Sequence, residues 1–455
     1  MRASIRIILK IIILWWGMTN LSAQENYLMF LNDGEEAALA RIKVLEKADS
    51  ELLVAYYIFE DDGIGLVALD LLLLKKELNP GVKIKVLLDG SANRVDKSLW
   101  YYLEQHGIEV REFHPSPKLL VPLKKISIRN FIRAFKNANS RMHDKILLAD
   151  GEDLIIGGRN IEKTYYDLAE KNFHDRDIYF VSKSTGGEVK AYFEKLWNSK
   201  HVSKLTYNRR DRKGKHYEKM VNKLKNIRKY TLYHKKDYEE KSKAIDPVKY
   251  GMKFDKAVFL SSYNKETGKF DPDYLSTSLY KLALQLKKSF IIETPYLVPT
   301  KRLYKLMETL HKKKVKMQFV TNSFCSTDVM PVAAAYDNEK EKLAKLGVEI
   351  YEYKGPQYLH AKSAIFDDSL ALVGSYNMDP RSAYINTELV FIIDDKNVVS
   401  KLASIIEEDK ANSVKVITTP DFPGGYYDCT KSRADMIIYV IFKFLTRFPW
   451  LYNKF

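Results

Sequence analysis

His143-Asp144-Lys145-Ile146-Leu147-Leu148-Ala149-Asp150, followed by Gly157-Gly158-Arg159-Asn160, returns later in the chain as His360-Ala361-Lys362-Ser363-Ala364-Ile365-Phe366-Asp367 and Gly374-Ser375-Tyr376-Asn377. Lys stands two residues after His in both copies, Asp seven, the first Gly fourteen and Asn seventeen. His and Lys two apart on a strand share a face, so each copy offers one imidazole and one ammonium together. Asn in the turn after the next strand brings an amide to the same place. Two such sets facing each other make a pocket for a phosphodiester, with cations and donors where negative charge builds during phosphoryl transfer. A single His-x-Lys is more often structural, and the duplication is what gives this one weight.

The flanks repeat as well. Val82–Ser91 and Val315–Phe324 are apolar strands ending in polar turns, and each is followed by a helical stretch and a strand, Gly107–Phe113 and Gly347–Tyr353. Strand and helix periods alternate, so each half is an α/β unit with helices packed on a mostly buried sheet. Asp150 and Asp367 fall at the ends of their strands, where a carboxylate naturally accepts backbone or hydroxyl donors and holds a turn.

The rest of the 455 residues bounds the reading. Hydrophobic residues at 46% exclude a disordered chain, and two cysteines exclude a disulfide scaffold or Cys-rich zinc site. Cys325 and Cys429 could pair in an oxidising compartment. Arg2, Arg6 and Lys10 precede the apolar run Ile11 to Met18, and Leu21-Ser22-Ala23 ends in a small residue, the pattern of an export signal or an N-terminal anchor. The body is therefore expected outside the cytoplasm, associated with a membrane. The net charge of +16 points to an anionic partner, and it is localised. Residues 200–243 carry 16 Lys and Arg against five acids, and 114–142 carries seven against none. The second of these mixes its cations with Leu119, Ile128, Phe131 and Phe135, as interfacial segments do. The apolar, aromatic and basic end, Met436 to Tyr452, is too short to span a bilayer and reads equally as a docked terminal helix or a membrane-surface helix.

These residues resemble the phospholipase D superfamily, whose signature is the duplicated His-x-Lys-x4-Asp motif followed by Gly-Ser/Gly-x-Asn. Tyr56–Phe59, Gly158–Ile161, Thr294–Pro299, Thr321–Ser323, Thr327–Val329, Ala334–Tyr336 and Asn377–Arg381 are most similar to exported bacterial cardiolipin synthases of the ClsC kind. The departures are Gly158, where many members carry Ser, and the basic segment 200–243. The resemblance implies two tandem α/β sandwich repeats packed face to face around one shared active site. It implies a metal-free, cofactor-free exchange at phosphorus, with His143 as nucleophile, forming a phosphohistidine, and His360 as acid and base. Lys145, Lys362, Asn160, Asn377 and Ser375 would hold the phosphate, and Asp150 and Asp367 complete the motifs.

Each imidazole also needs a group to fix its tautomer. Glu388 opens the apolar strand after the second motif, and Asp177 holds the corresponding place after the first. The expected organisation is a signal or anchor at 1–23, a first repeat at 24–199, a basic connector at 200–247, a second repeat at 248–411 and a tail at 412–455. The expected reaction is phosphatidyl transfer to make cardiolipin, with phosphatidylglycerol or another phospholipid as donor and acceptor, on an anionic phospholipid membrane surface. Hydrolysis to phosphatidic acid is one alternative and a nucleic-acid phosphodiesterase another. Export and the amphipathic segments favour lipid, so no nucleic-acid partner is expected. A water-poor wall for the acyl glycerol is expected from Tyr57, Ile58 and Phe59 in one half and Tyr296, Leu297 and Val298 in the other.

Overall fold

The computed structural model describes residues 25–113, 140–419, 422–423, 429 and 431–447. The N-terminal segment 1–23, all but the last three residues of the 114–142 insertion, and the final eight residues lie outside the described residues.

Apolar runs such as Val86 to Leu88 and Phe319 to Val320 are buried on both faces, as strands sandwiched between layers must be. The first sheet contains β1 (Asn26–Leu31), β2 (Glu51–Tyr56), β3 (Lys83–Asp89), β4 (Glu109–Phe113), β5 (Lys145–Ala149), β6 (Asp153–Gly157), β7 (Asp177–Val181), β8 (Val202–Lys204) and β9 (Met252–Phe254). Its order is β9-β1-β7-β6-β5-β2-β3-β4-β8. The second contains β10 (Ala257–Ser261), β11 (Ser289–Glu293), β12 (Lys316–Asn322), β13 (Val348–Tyr353), β14 (Ser363–Phe366), β15 (Leu370–Gly374), β16 (Leu389–Ile393) and β17 (Ser413–Lys415), in the order β10-β16-β15-β14-β11-β12-β13-β17. Apart from the extra edge strand β9, the two orders match position by position. The repeat in the sequence is therefore a repeat of topology.

Helices α1 (Gly34–Lys47), α2 (Gly63–Leu78) and α3 (Lys97–Gln105) cover the outer face of the first sheet, packing Val44, Leu69 and Leu99 on Val54, Val86 and Leu88. The inner faces of both sheets meet in one shared core, where Ile146, Leu148, Ile156 and Phe180 pack with Ile365, Val373, Phe391 and Ile393. Helix α4 (Lys183–Trp197) contributes Phe193 and Leu196 to it. Phe391 is fully buried there, and its truncation to Ala would cost about 3–5 kcal/mol.

The basic connector is a helical cover on the first half. Helix α5 (Lys215–Tyr233) buries Met220 and Leu224 against the outer core, and α6 (Lys235–Ser242) follows it. Its basic side chains meet an acidic surface: Arg228 pairs with Asp70 and Glu77, Lys223 with Asp61 and His216 with Asp96.

In the second half, α7 (Pro272–Ala283), α8 (Lys301–Lys312) and α9 (Met330–Lys345) cover the outer face through Leu275, Leu310 and Leu343. Helix α10 (Lys396–Ala411) joins the shared core through Leu402. The terminal helix α11 (Arg433–Leu445) packs on α9. Cys325 and Cys429 form a disulfide just ahead of it. No described helix is long and apolar enough to cross a membrane.

Candidate active site

The two His-led strands run into the seam between the halves, and backbone pairing across that seam sets their position. The His143 N–H donates to the Thr387 carbonyl at 3.2 Å, and the Thr387 N–H donates to the Arg141 carbonyl at 2.9 Å. The mirror-image contacts run from the Tyr358 N–H to the Asn172 carbonyl (2.9 Å) and from the His360 N–H to the His174 carbonyl (2.7 Å). Each histidine is thereby tied to the residue that precedes a carboxylate of the other half.

Those carboxylates complete a crossed arrangement. His143 Nδ1 lies 3.0 Å from Glu388 Oε2, and His360 Nδ1 lies 2.6 Å from Asp175 Oδ2. A carboxylate that accepts from Nδ1–H keeps the ring proton there and leaves Nε2 as the reactive atom. Asp177, expected to serve the second imidazole, does not reach it. Its carboxylate accepts from Arg41 at 2.8 Å and lies 3.5 Å from Arg159, all three buried in the first half. The register explains the two-residue correction. Gly157 pairs with Asp177 and Gly374 with Val390, so the position matching Glu388 is two residues before Asp177, at Asp175. Asp175 lies just outside β7, and only alignment on the paired glycines would have found it.

The same geometry accounts for Gly158. A Cβ there would lie 2.1 Å from Asp175 Oδ1, inside the carboxylate. Glu388 is one methylene longer and leaves room for Ser375, whose hydroxyl donates to it, while Ser382 donates to its other oxygen at 2.7 Å. Ser375 is fully buried behind Glu388. It supports the carboxylate and does not face the cavity as a phosphate ligand, which corrects its expected place.

Lys145 and Lys362 lie beneath the imidazoles, each donating to the carbonyl of the His two residues before it. Burial, opposed by nearby carboxylates, pushes the Lys145 ammonium down to about 7 and that of Lys362 to about 8. Burial and then the two lysines hold His143 well below its ordinary value, and burial with Lys362 brings His360 to about 4. The two carboxylates part company. Burial pushes Glu388 up to about 7, whereas Lys362 and His360 overcome burial at Asp175 and hold it well below the usual carboxylate range.

Asp150 and Asp367 sit at the far ends of their strands, away from the histidines. Asp150 accepts from the N–H groups of Asp49, Ser50 and Glu51, and Asp367 from those of Lys287, Lys288 and Ser289. Both have a left-handed φ of 52°. They fasten turns, as their strand-end positions indicated, and do not take the catalytic place implied for them as members of the motif.

A cavity of about 560 Å3 opens over His143 and His360, lined also by Tyr57, Ile58, Asn160, Tyr165, Phe173, Tyr296, Asn377 and Asn386. Asn160 is partly committed, accepting from the Ile58 N–H at 3.1 Å and donating to the Tyr165 hydroxyl at 2.9 Å. The amide oxygens of Asn377 and Asn386 are buried with no hydrogen-bond partner. Of the expected apolar wall, Tyr57, Ile58 and Tyr296 face the cavity, while Phe59, Leu297 and Val298 are buried core. Arg94, Asp328, Asp379 and Arg381, to which no role was given from the sequence, also line it. Among the described residues no group of three or more His, Cys, Asp or Glu is arranged to hold a metal ion.

Arg176 joins the halves beside the site. Its guanidinium pairs with Glu293 and with Asp409 at 3.0 Å, and donates to Ser363 at 2.6 Å. Consecutive residues thus divide their work: Asp175 and Arg176 reach the second half, and Asp177 stays in the first.

Comparison with known proteins agrees with this geometry. The family described as "Cardiolipin synthase, PLD-like domain" matches residues 42–197 and 281–410. Cardiolipin synthase C of Escherichia coli is 29% identical over 409 residues, covering 82% of this chain and 81% of that protein. An uncharacterized protein of Helicobacter pylori is 28% identical over 407 residues, covering 85% and 79%. In fold, the chain is similar to the crystal structure of phosphatidylserine synthase from Haemophilus influenzae, with a TM-score of 0.65 at 15% identity over 96% of this chain and 97% of that one. With both motif histidines facing one cavity and the family match spanning more than half its length, the chain belongs to the phospholipase D superfamily, in the family described as cardiolipin synthase, PLD-like domain.

Proposed function

We propose that this enzyme transfers a phosphatidyl group from one phospholipid to a hydroxyl of a second, making cardiolipin through a phosphohistidine on His143. The observation that carries the proposal is the pair of imidazoles in one cavity, each with Nδ1 held by a carboxylate and Nε2 left reactive. In the first step His143 Nε2 attacks phosphorus, the bond from phosphorus to the departing alcohol breaks, and His360 gives that alcohol its proton. In the second, His360 takes a proton from the incoming hydroxyl, which attacks phosphorus and breaks the P–N bond.

The unequal carboxylates support this division of labour. Burial and Lys362 bring His360 to about 4 in the free enzyme, and the ionised Asp175 together with a bound anionic phosphodiester pulls it back toward the imidazolium that acid catalysis needs. Glu388, pushed up to about 7, makes a weaker demand for a cation on His143 and leaves it neutral for attack. The buried amide oxygens of Asn377 and Asn386 are suited to accept from substrate hydroxyls, and Lys145 and Lys362 supply positive charge behind the phosphate.

Tyr57, Tyr165 and Tyr296 meet the imidazoles edge-on, at interplanar angles of 66°, 74° and 82°. They form walls rather than the open stacking platforms that single-stranded nucleic acid uses. This favours a lipid phosphodiester, and the basic, apolar N-terminal run supports a place on a membrane surface outside the cytoplasm. Purified enzyme on phosphatidylglycerol vesicles should yield cardiolipin in excess of phosphatidic acid by mass spectrometry. Phosphatidic acid as the main product, with acceptor lipid in supply, would reassign the enzyme to hydrolysis.

A further inference from the structure

Helix α11 has two unlike faces. On one, the Tyr439 hydroxyl donates to Asp337 of α9, Lys443 bonds the same carboxylate at 3.0 Å, and Asn338 donates to Thr446 at 2.9 Å. Phe324, Met330, Ala333 and Ala334 pack beneath this face with Phe442. On the other, Met436, Ile437, Val440 and Ile441 are 42%, 60%, 60% and 49% exposed. The spacing i, i+1, i+4, i+5 places these side chains in one stripe. Contiguous apolar surface of this kind marks an interaction site. Exposed Arg433 and Arg447 stand at the two ends of the stripe.

The location of the stripe narrows the partner. Val329, Pro331 and Val332, at the start of α9, line the catalytic cavity, while Met330, Ala333 and Ala334 beside them face α11. Helix α11 is therefore one helix away from the cavity wall, about 8–10 Å between axes. The disulfide to Cys325 fixes the chain three residues before the N-cap, Ser432. Thirteen residues make about 20 Å of helix, short of the ~30 Å needed to cross a bilayer but ample for lying in its surface.

We propose that this face of α11 docks flat on an anionic phospholipid bilayer and holds the cavity mouth at headgroup depth. The inference rests on the lipid-transfer reading above. A lipid phosphodiester sits only a few bonds from its acyl esters, so an enzyme that engages it without extracting the lipid must bring its mouth to the headgroups. Apolar side chains would enter the acyl boundary while Arg433 and Arg447 meet anionic headgroups.

The test uses the full chain with Ile441→Cys labelled by an environment-sensitive fluorophore, which is selective because the two native cysteines are paired. Emission should rise and shift to the blue on phosphatidylglycerol-containing vesicles, and far less on phosphatidylcholine alone. An unchanged spectrum on anionic vesicles overturns the proposal even if another segment holds the protein to them. A shift that needs only higher protein concentration, with a dimer in sedimentation, overturns it in favour of a second copy. The triple variant Ile437→Ser, Val440→Ser, Ile441→Ser should lose about 100-fold in turnover of vesicle lipid, the order expected for three half-exposed aliphatic side chains. It should keep its rate on dissolved short-chain phosphatidylglycerol, and an equal loss on both substrates overturns the docking role. Insertion of the label with no lipid turnover by the parent enzyme would retire the transfer reading and leave the docking intact.

Discussion

Replacing Asp175 by Asn and, separately, Asp177 by Asn should produce two different lesions from neighbouring positions. A proton on His360 is drawn to Asp175 across 2.6 Å, an attraction of about 6 kcal/mol at an effective dielectric near 20. The Lys362 ammonium, 2.8 Å from the same nitrogen, cancels part of it. Asn keeps the volume but has one acceptor oxygen where Asp has two, and the Arg176 N–H already claims one at 2.7 Å. The net loss in the transition state should be about 3–5 kcal/mol, or roughly 10²–10⁴-fold in kcat, with little change in folding. Asp177→Asn instead strips the charge from between Arg41 and Arg159 and leaves buried guanidinium groups uncompensated. That should cost about 3–5 kcal/mol of stability in urea unfolding, while the folded fraction keeps most of its kcat. Turnover of phosphatidylglycerol per folded molecule, alongside denaturation curves, separates the two. Full activity in Asp175→Asn, or an equal kcat loss in both variants, would refute the crossed assignment.

Gly158→Ala should drive a methyl into Asp175, displace the carboxylate from His360, and lower kcat at least about tenfold with the protein folded, read by kinetics and circular dichroism. In the free enzyme Lys145 and Lys362 give up their protons as pH rises through about 7 to 8, so kcat/KM should fall on that alkaline limb. Bound phosphate favours the charged lysines, so the kcat limb should lie at higher pH, and a kcat/KM flat to pH ~9.5 would contradict their role. With a substrate bearing a good leaving group, His360→Ala should still accumulate some phosphoenzyme and His143→Ala none; the reverse pattern in a trapping experiment would exchange the two roles.

Much of the molecule was legible in the sequence because its signals are local. The apolar strand runs alternating with helical stretches, the fourteen-residue step from His to Gly and the duplication itself announce two equivalent α/β units, and the matching strand orders follow. What was not legible depends on distant partners. Asp175 and Asp177 differ by one pleat, and only the pairing of Gly157 across β6 and β7 decides which of them meets the seam. Ser375 sits in a turn where a hydroxyl suits a phosphate, yet Glu388, folded in from β16, claims it. The partners of the basic run 200–243 were not legible, because the acids that meet it, Asp61, Asp70, Glu77 and Asp96, lie more than a hundred residues away.

The crossing of carboxylates between halves also has a hereditary consequence. Each imidazole takes its tautomer from the other copy, so neither copy of the duplication can drift on its own. A lesion at Asp175 is felt at His360, and one at Glu388 is felt at His143. Second-site suppressors of either lesion should therefore arise across the duplication rather than beside it. The two halves are one unit of selection, although either would look complete by its motif alone.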